Sequence, residues 1–260
     1  MTIDKFEQAL SLLSQAKRPV AFAGAGMSAD SGIPTFRGSD GGLWSEYDPT
    51  ELATPGAYRA DKALVWGWYV WRMANVQRAN PHAGHLALAE MQCYWPEFTV
   101  ITQNVDDLHE RAGSRNVIHL HGGLFAHRCA CCGTAFTDFK IPDDAIEHPL
   151  QRRKPPICRR CGGYVRPGVV WFGEDLPVGA WGNAVRQISL ADVVLVIGTS
   201  GVVEPAASLV SIAKKAEARI IEINTELSLQ SWSADVSLFS GAAKSLGQLA
   251  SGLKNRLEIS

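Results

Sequence analysis

The 260-residue sequence has almost no net charge, with 25 lysines and arginines against 26 aspartates and glutamates. That balance gives no ground for a polyanionic partner or a charged membrane surface, so any basic patch must be local. Long apolar runs are missing too. The longest, such as Val193 to Ile197, are strand-length and far short of the ~20 residues that a membrane span requires. The opening MTIDKFEQALSLLSQAKRPV mixes acids and lysines among apolar residues at helical spacing, which reads as an amphipathic helix and not as the apolar core of an export signal. A soluble, cytoplasmic protein is expected. Cysteine is scarce outside one window: five of the six lie between Cys129 and Cys161, and without an export signal this crowding favours metal binding over disulfides. Cys93 stands apart and reads as a small buried hydrophobe.

What is present is a large apolar fraction, 46%, enough to bury a sizeable core. Short apolar runs recur at Pro19 to Ala23, Phe98 to Thr102, Val117 to Leu120, Asp192 to Ile197 and Arg219 to Ile223. Helix-like segments separate several of them, so the pattern predicts an α/β, Rossmann-like doubly wound parallel sheet covered by helices on both faces. Two segments interrupt the rhythm, one rich in tryptophan from Trp44 to Asn80 and one rich in cysteine from His127 to Arg166. The crowded Trp66, Trp68, Tyr69 and Trp71 read as a packed helical core. Residues 1–43, 81–126 and 167–260 are then expected to form a dinucleotide-binding domain. A helical insertion, 44–80, and a zinc ribbon, 127–166, would make a smaller one.

In PVAFAGAGMSADSG, Gly24, Gly26 and Ala29 match the Gly-x-Gly-x-x-Gly/Ala fingerprint, in which glycine lets the backbone turn tightly against a pyrophosphate at a helix start. The acid that normally grips the adenosine ribose about 20 residues later has no counterpart here, so a plain dehydrogenase fits poorly. The polar loop that follows, with Ala25, Ser28, Asp30, Ser31, Phe36 and Arg37 in or beside it, suits closure over a ligand.

Gln103, Asn104 and Asp106 follow an apolar strand, at the carboxyl edge where open α/β sheets bind ligands, and Asp106 also suits a helix cap. Gly198, Thr199 and Ser200 end another strand in the same way. His119 and His121 alternate on what looks like a strand end, so one alone should face the cleft. Val170, Phe172, Gly173 and Glu174 read as an exposed edge to which an extended peptide could add as a strand. Cys129 with Cys132, and Cys158 with Cys161, supply four thiolates to a tetrahedral ion. A closed sulfur site of this kind is structural, with no open position for water. Cys131 would be a bystander. Arg152, Arg153, Lys154, Arg159 and Arg160 make the ribbon locally basic, and a solvated face is the expectation, with nucleic acid disfavoured.

Taken together, GAGMSADSGIPTFRG, TQNVDDLHERAG, HLHGG, the two Cys-x-x-Cys pairs, VVWFGE and GTSGVVEPA resemble the sirtuin family in order and spacing, over nearly the whole chain. The resemblance implies an NAD-dependent protein-lysine deacylase. Asn104 and Asp106 would orient the cofactor's carboxamide and ribose, Gln103 would lie near the ribose, and His121, ahead of Gly122, would act as general base. An imidazole suits that role near neutral pH. Asn224 would meet the adenosine ribose, which accounts for the missing acid. The acyl oxygen would attack the ribose carbon, nicotinamide would leave, and O-acyl-ADP-ribose would result. Tyr69 and Arg72 resemble the Tyr-x-x-Arg motif of sirtuins that remove acidic acyl groups; a spacing of three puts both on one helix face, and Ala53 leaves room for a longer chain. Acyl-lysine proteins or peptides are the expected partners, NAD the cosubstrate, one zinc ion the structural metal, and a monomer the expected state. The rival expectations are a protein ADP-ribosyltransferase and a non-catalytic NAD or zinc-ribbon binding protein.

Overall fold

A computed structural model of the chain describes residues 3–34, 49–147 and 150–257. Phe36 and Arg37 lie outside these residues. The elements run α1 (Ile3–Ser14), β1 (Pro19–Ala23), α2 (Gly26–Ala29), α3 (Pro49–Leu52), α4 (Pro55–Ala60), α5 (Lys62–Arg78), α6 (Ala83–Tyr94), β2 (Thr99–Thr102), α7 (Leu108–Arg111), β3 (Val117–His119), β4 (Gly122–Cys129), β5 (Val165–Val169), α8 (Val178–Leu190), β6 (Val193–Ile197), α9 (Ser208–Lys215), β7 (Arg219–Asn224), β8 (Val236–Phe239) and α10 (Ala242–Leu257). They divide into two compact units, Met1–Thr35 with Asn80–Leu120 and Pro177–Ser260, and Phe36–Ala79 with His121–Leu176.

The first unit is built on a six-stranded sheet in the order β3-β2-β1-β6-β7-β8, every pair parallel. This is the doubly wound arrangement the strand pattern predicts. Alternate residues of the central strands serve opposite cores. Ala21, Ala23, Leu195, Ile197, Ile221 and Ile223 share one core with Leu10, Leu13, Leu88, Met91, Leu246 and Leu253 from α1, α6 and α10. Val20, Phe22, Val194, Val196 and Ile220 share the other with Ala184, Ile188, Leu209 and Val210 from α8 and α9. Because both faces of β1 and β6 are buried, their sequences are unbroken apolar runs instead of alternating ones. Strand order reverses between β1 and β6, and the crevice at their carboxyl ends is where ligands bind in sheets of this topology.

The second unit takes in 121–126 and 167–176, which the sequence pattern had grouped with the sheet. The reason is pairing: β4 and β5 form their own antiparallel two-stranded sheet, with Gly122 opposite Val169 and Cys129 opposite Val165. The tryptophan-rich helix α5 supplies this unit's core. Trp66, Trp68 and Tyr69 are each 1% exposed, and Trp66 sets its ring edge-on to His127 and Phe139 at 5.5 and 5.0 Å.

Gly67 sits mid-helix, where glycine ordinarily costs stability, because a Cβ there would lie 1.9 Å from the carbonyl oxygen of Gln151. The neighbouring chain is held against α5 by Arg153 N–H donating to Ala63 O at 2.9 Å. Gly67→Ala therefore sets a helix-propensity gain of about 1 kcal/mol against overpacking of about 1–3 kcal/mol, because the clash is with backbone that cannot turn aside. Overpacking should win. Thermal unfolding is expected to show a lowered Tm, and an unchanged or raised Tm would show that the helix does not need this approach.

Candidate functional site

Past Ala23 the chain leaves β1 and makes a single helical turn, α2. Gly24 N–H donates to Ile197 O and Gly26 N–H to Gly198 O, both at 2.8 Å. A Cβ on Gly24 would sit 2.7 Å from Gly198 O, and one on Gly26 would sit 2.7 Å from Gly198 Cα. Gly198 itself has φ +56. Three glycines thus let two loop backbones touch at the point where strand order reverses. The helix that follows differs from the fingerprint's long one, since α2 ends at Ala29. One turn carries little macrodipole, so local N–H groups, more than a helix dipole, are what this loop offers an anion.

Behind the glycines lies a buried polar network. Ser28, 1% exposed, donates from Oγ to Asp106 Oδ2 at 2.9 Å and accepts from Asn104 Nδ2 at 3.0 Å. Asn104 is positioned in turn by its own N–H, which donates to Thr102 Oγ1 at 3.0 Å. Asp106 Oδ1 accepts from Leu108 N–H, the first residue of α7, at 3.2 Å, so Asp106 also serves the start of that helix. Burial pushes the Asp106 carboxyl above the usual carboxylate range, offset in part by the bonds from Ser28 and Leu108. Gln103 Nε2 donates to Thr199 Oγ1 at 3.0 Å, and Asn224 Nδ2 donates to Thr199 O at 3.1 Å. The carboxyl ends of β1, β2, β6 and β7 therefore gather Gly24, Ala25, Gly26, Ser28, Gln103, Asn104, Asp106, Gly198, Thr199, Ser200 and Asn224. Asp30 and Ser31 have other engagements: Asp30 Oδ2 accepts from Ala243 N–H in the first turn of α10 at 3.1 Å, and Ser31 Oγ donates to Asn80 O at 2.7 Å.

The two histidines differ from the alternation expected of them. His119 ends β3, but the chain leaves the sheet at Leu120, and His121 lies on the turn into β4, in the second unit. They are not opposite faces of one strand. His119 is held by Asn104 O at 3.1 Å and Glu110 Oε1 at 2.7 Å. Burial would lower its pKa, but the hydrogen bond and charge of Glu110 outweigh it and raise the imidazole above its ordinary value. This is a structural ion pair. The carbonyl of His121 accepts from Val170 N–H at 2.8 Å. Gly122 must be glycine, since its φ is +69 and a Cβ would lie 2.1 Å from Gly168 O.

In the second unit Tyr69 and Arg72 share one face of α5. The Tyr69 hydroxyl accepts from Trp171 Nε1 at 2.9 Å, which leaves its own proton to donate. Burial raises its pKa, against the opposing charge of Arg72. The Arg72 guanidinium lies over the rings of Trp68 and Tyr69, 5.0 and 5.4 Å from their centroids. Ala53, 7% exposed, accepts from Phe172 N–H through its carbonyl at 2.9 Å.

Residues 170–174 do not continue as the expected edge strand. β5 ends at Val169, and the chain turns through Gly173 at φ +86. Glu174 is committed to Arg166, through Nη2 at 2.8 Å and a second bond from Nη1, and to Trp171 N–H at 2.9 Å. Arg166 also stacks 3.4 Å from the Trp171 ring centroid. Its role could not be read from sequence, because nothing in the spacing pairs Arg166 with Glu174. Thr102 likewise gave no sequence signal beyond ending a strand.

The four cysteines meet as expected: Cys129, Cys132, Cys158 and Cys161 bring their sulfurs within 4.8 Å of one another. The 129–161 and 132–158 pairs are 3.5 and 3.7 Å apart, close to the ~3.8 Å edge of a tetrahedron with metal–sulfur bonds of ~2.3 Å. Each pair closes on a glycine in the left-handed region, Gly133 at φ +69 and Gly162 at φ +73. Cys131 is exposed and outside the cluster. These thiols fit a zinc ion. Several of the ribbon's basic residues are neutralised, Arg152 by Asp61 at 2.6 Å, Arg153 by Asp144 at 2.9 Å and Arg159 by Asp138 at 3.0 Å.

The sheet with its switch-point network, and the ribbon with its four thiols, define a dinucleotide-binding α/β protein that carries a structural metal module. The Sir2 family model matches residues 24–205, and the chain belongs to this family, the sirtuins. It is 50% identical to NAD-dependent protein deacylase 2 of Pyrobaculum aerophilum over 95% of each chain. NAD-dependent protein deacylase 1 of Pseudomonas aeruginosa is also 50% identical, over 84% of this chain and 86% of that one. A Sir2 homologue crystallised with NAD is 47% identical, with a TM-score of 0.87 over 96% of this chain and 94% of that chain. Sir2Af2 bound to a myristoylated histone peptide is 30% identical, with a TM-score of 0.79 over the full length of both.

The thiol geometry separates two neighbouring cysteines experimentally. Cys132→Ser should lose the bound metal and lower the Tm, whereas Cys131→Ser should retain one zinc per chain, as read by atomic absorption. Loss of zinc from Cys131→Ser with retention in Cys132→Ser would reverse the ligand assignment.

Proposed function

We propose that this chain is an NAD-dependent protein-lysine deacylase that removes acetyl groups and also the acidic succinyl and malonyl groups. The observation that carries the reading is the buried Ser28–Asn104–Asp106 network, set behind the glycine contact at the switch point of a Sir2-family sheet. Asn104 and Asp106 are fixed by neighbours on the protein, so they are preorganised to align the ribosyl centre and the carboxamide of NAD. Gln103, Thr199 and Asn224 are tied together beside them and suit the ribose and adenosine contacts. His121 is the proposed general base that takes a ribose hydroxyl proton, so that the acyl group can move from lysine to ADP-ribose. Cys129, Cys132, Cys158 and Cys161 would hold zinc through four thiolates, and an ion so ligated would serve to hold the ribbon, not to activate a water.

For acyl choice, Arg72 offers a guanidinium held against two aromatic rings, and Tyr69 offers a hydroxyl proton three residues away on the same helix face. A carboxylate at the end of a succinyl or malonyl chain is the ligand this pair would hold, by two parallel bonds from Arg72 and one from Tyr69. Tyr69 also packs into the tryptophan core, and the two roles are compatible because its hydroxyl, not its ring, would meet the substrate. Protein or peptide substrates are proposed by likeness to the Sir2 structure that holds a myristoylated histone peptide. A monomer in the cytoplasm is the proposed state and location. Among the described residues no helix is long and apolar enough to cross a membrane.

Mass spectrometry of one peptide bearing acetyl- or succinyl-lysine, incubated with and without NAD, tests the reading. NAD-dependent loss of the acyl mass together with O-acyl-ADP-ribose is expected. ADP-ribose mass on protein, or no change in either peptide, would sink it in favour of ADP-ribosyl transfer or binding alone. Arg72→Met should cut desuccinylation by about 10²-fold while changing deacetylation by less than about threefold, the scale expected when a charged partner of a carboxylate is removed. Equal losses on the two peptides would refute the acyl-selecting role.

A further inference from the structure

Strand β7 reads Arg219-Ile-Ile-Glu-Ile-Asn224 and places a carboxylate where the parallel sheet should be apolar. Glu222 is 1% exposed, and a buried carboxylate persists only where donors surround it. Among the described residues its three hydrogen-bond donors are all serine hydroxyls. Ser228 Oγ and Ser231 Oγ reach Oε1 at 2.6 and 2.9 Å, and Ser237 Oγ reaches Oε2 at 2.8 Å. Ser237 belongs to β8, but Ser228 and Ser231 belong to the loop 225–233 that leaves β7 directly after Asn224. That loop winds about the carboxylate, since Gln230 N–H donates to Ser228 Oγ at 3.0 Å and Ser228 N–H to Ser231 Oγ at 2.9 Å.

The same loop supports the turn after β6. Leu229 N–H donates to Ser200 O at 3.3 Å. Gln230 fills the space against Gly201, where a Cβ would lie 2.6 Å from Gln230 Nε2. Thr199, one residue before Ser200, holds both Gln103 and Asn224. A continuous set of contacts therefore runs from Glu222 through its serines to the residues suited to the adenosine half of NAD. Glu222 itself sits inside the sheet, behind the loop.

We propose that Glu222 is a positioning residue for cofactor binding: by accepting from three serines it fixes the 225–233 loop, and through that loop the Thr199–Gly201 turn and Asn224. This inference rests on the NAD-dependent reading of those loops. A carboxylate suits the task because it only accepts, so all three hydroxyls must point inward. An amide keeps one acceptor oxygen and loses the charge, so either Ser237 or the Ser228–Ser231 pair would face an N–H and have to turn its hydroxyl round to accept.

The test compares the wild-type protein, Glu222→Gln, and the Ser228→Ala/Ser231→Ala double variant, which removes two loop donors without touching the strand. ADP-ribose binding is measured by calorimetry, with the Tm and the KM values for NAD and acyl-lysine peptide alongside. The Kd for ADP-ribose should rise about tenfold in Glu222→Gln and at least about threefold in the double variant, as expected for losing charge-assisted bonds that hold a loop. KM for NAD should rise with it, while kcat and the peptide KM stay within about twofold. Recovery of the wild-type turnover rate at saturating NAD would agree with positioning. An unchanged Kd in both variants would overturn the proposal, as would a uniform loss of every parameter with a collapsed Tm in both, which would make Glu222 a core residue alone. Failure of the wild-type protein to bind ADP-ribose would overturn the NAD reading itself, and is recognisable before any variant is compared.

Discussion

Everything at the nucleotide side of this protein depends on two backbones touching where strand order reverses. Gly24 and Gly26 on one side and Gly198 on the other approach so closely that a side chain carbon on any of them would overlap main-chain atoms. The contact brings the loop after β1 against the loop after β6 and sets the depth at which Ser28 enters the protein. Ser28 then meets Asn104 and Asp106, which arrive on the next strand of the sheet. The parallel sheet supplies the directions of these strands, and glycine supplies the approach.

Buried and half-buried carboxylates do the finer positioning, each satisfied in a different way. Asp106 is held by one hydroxyl and one amide, which only partly offset the burial that raises its pKa. Glu222 is held by three hydroxyls, two of them on the loop that follows its strand. Glu174 is held by the two-pronged Arg166 and a backbone amide, and its pKa is lowered despite partial burial, by Arg166 and the amide of Trp171. Burying a carboxylate costs several kcal/mol unless its oxygens are met, so each of these groups forces its donors into place. The loops that carry the donors inherit that rigidity. In the second unit four thiols play the same part, and a cation would be what lets them crowd together.

The sheet was legible because β1 and β6 are short runs apolar on both faces, as strands covered on each side are. The four clustered cysteines were legible from the two-residue spacer within each pair. The sequence was a poorer guide where function depends on pairs distant along the chain. Glu174 looked like part of an edge strand because its partner Arg166 lies eight residues back, with no periodicity linking them. Asp30 and Ser31 matched the motif loop by position, yet Asp30 serves the start of α10, more than two hundred residues away. His119 and His121 looked like one strand because no local signal marks the point where the chain passes from one sheet to another. Glu222 was hidden in an apolar run, and the serines that explain it are spread over the following loop and strand.

The most direct test of this account is to follow the backbone amide resonances of the protein as NAD is added. Shifts should concentrate at Gly24 to Ser28, Gln103 to Asp106, Gly198 to Ser200 and Asn224, the residues that the glycine contact brings together. Shifts confined to the cysteine ribbon, or none at saturating NAD, would contradict it.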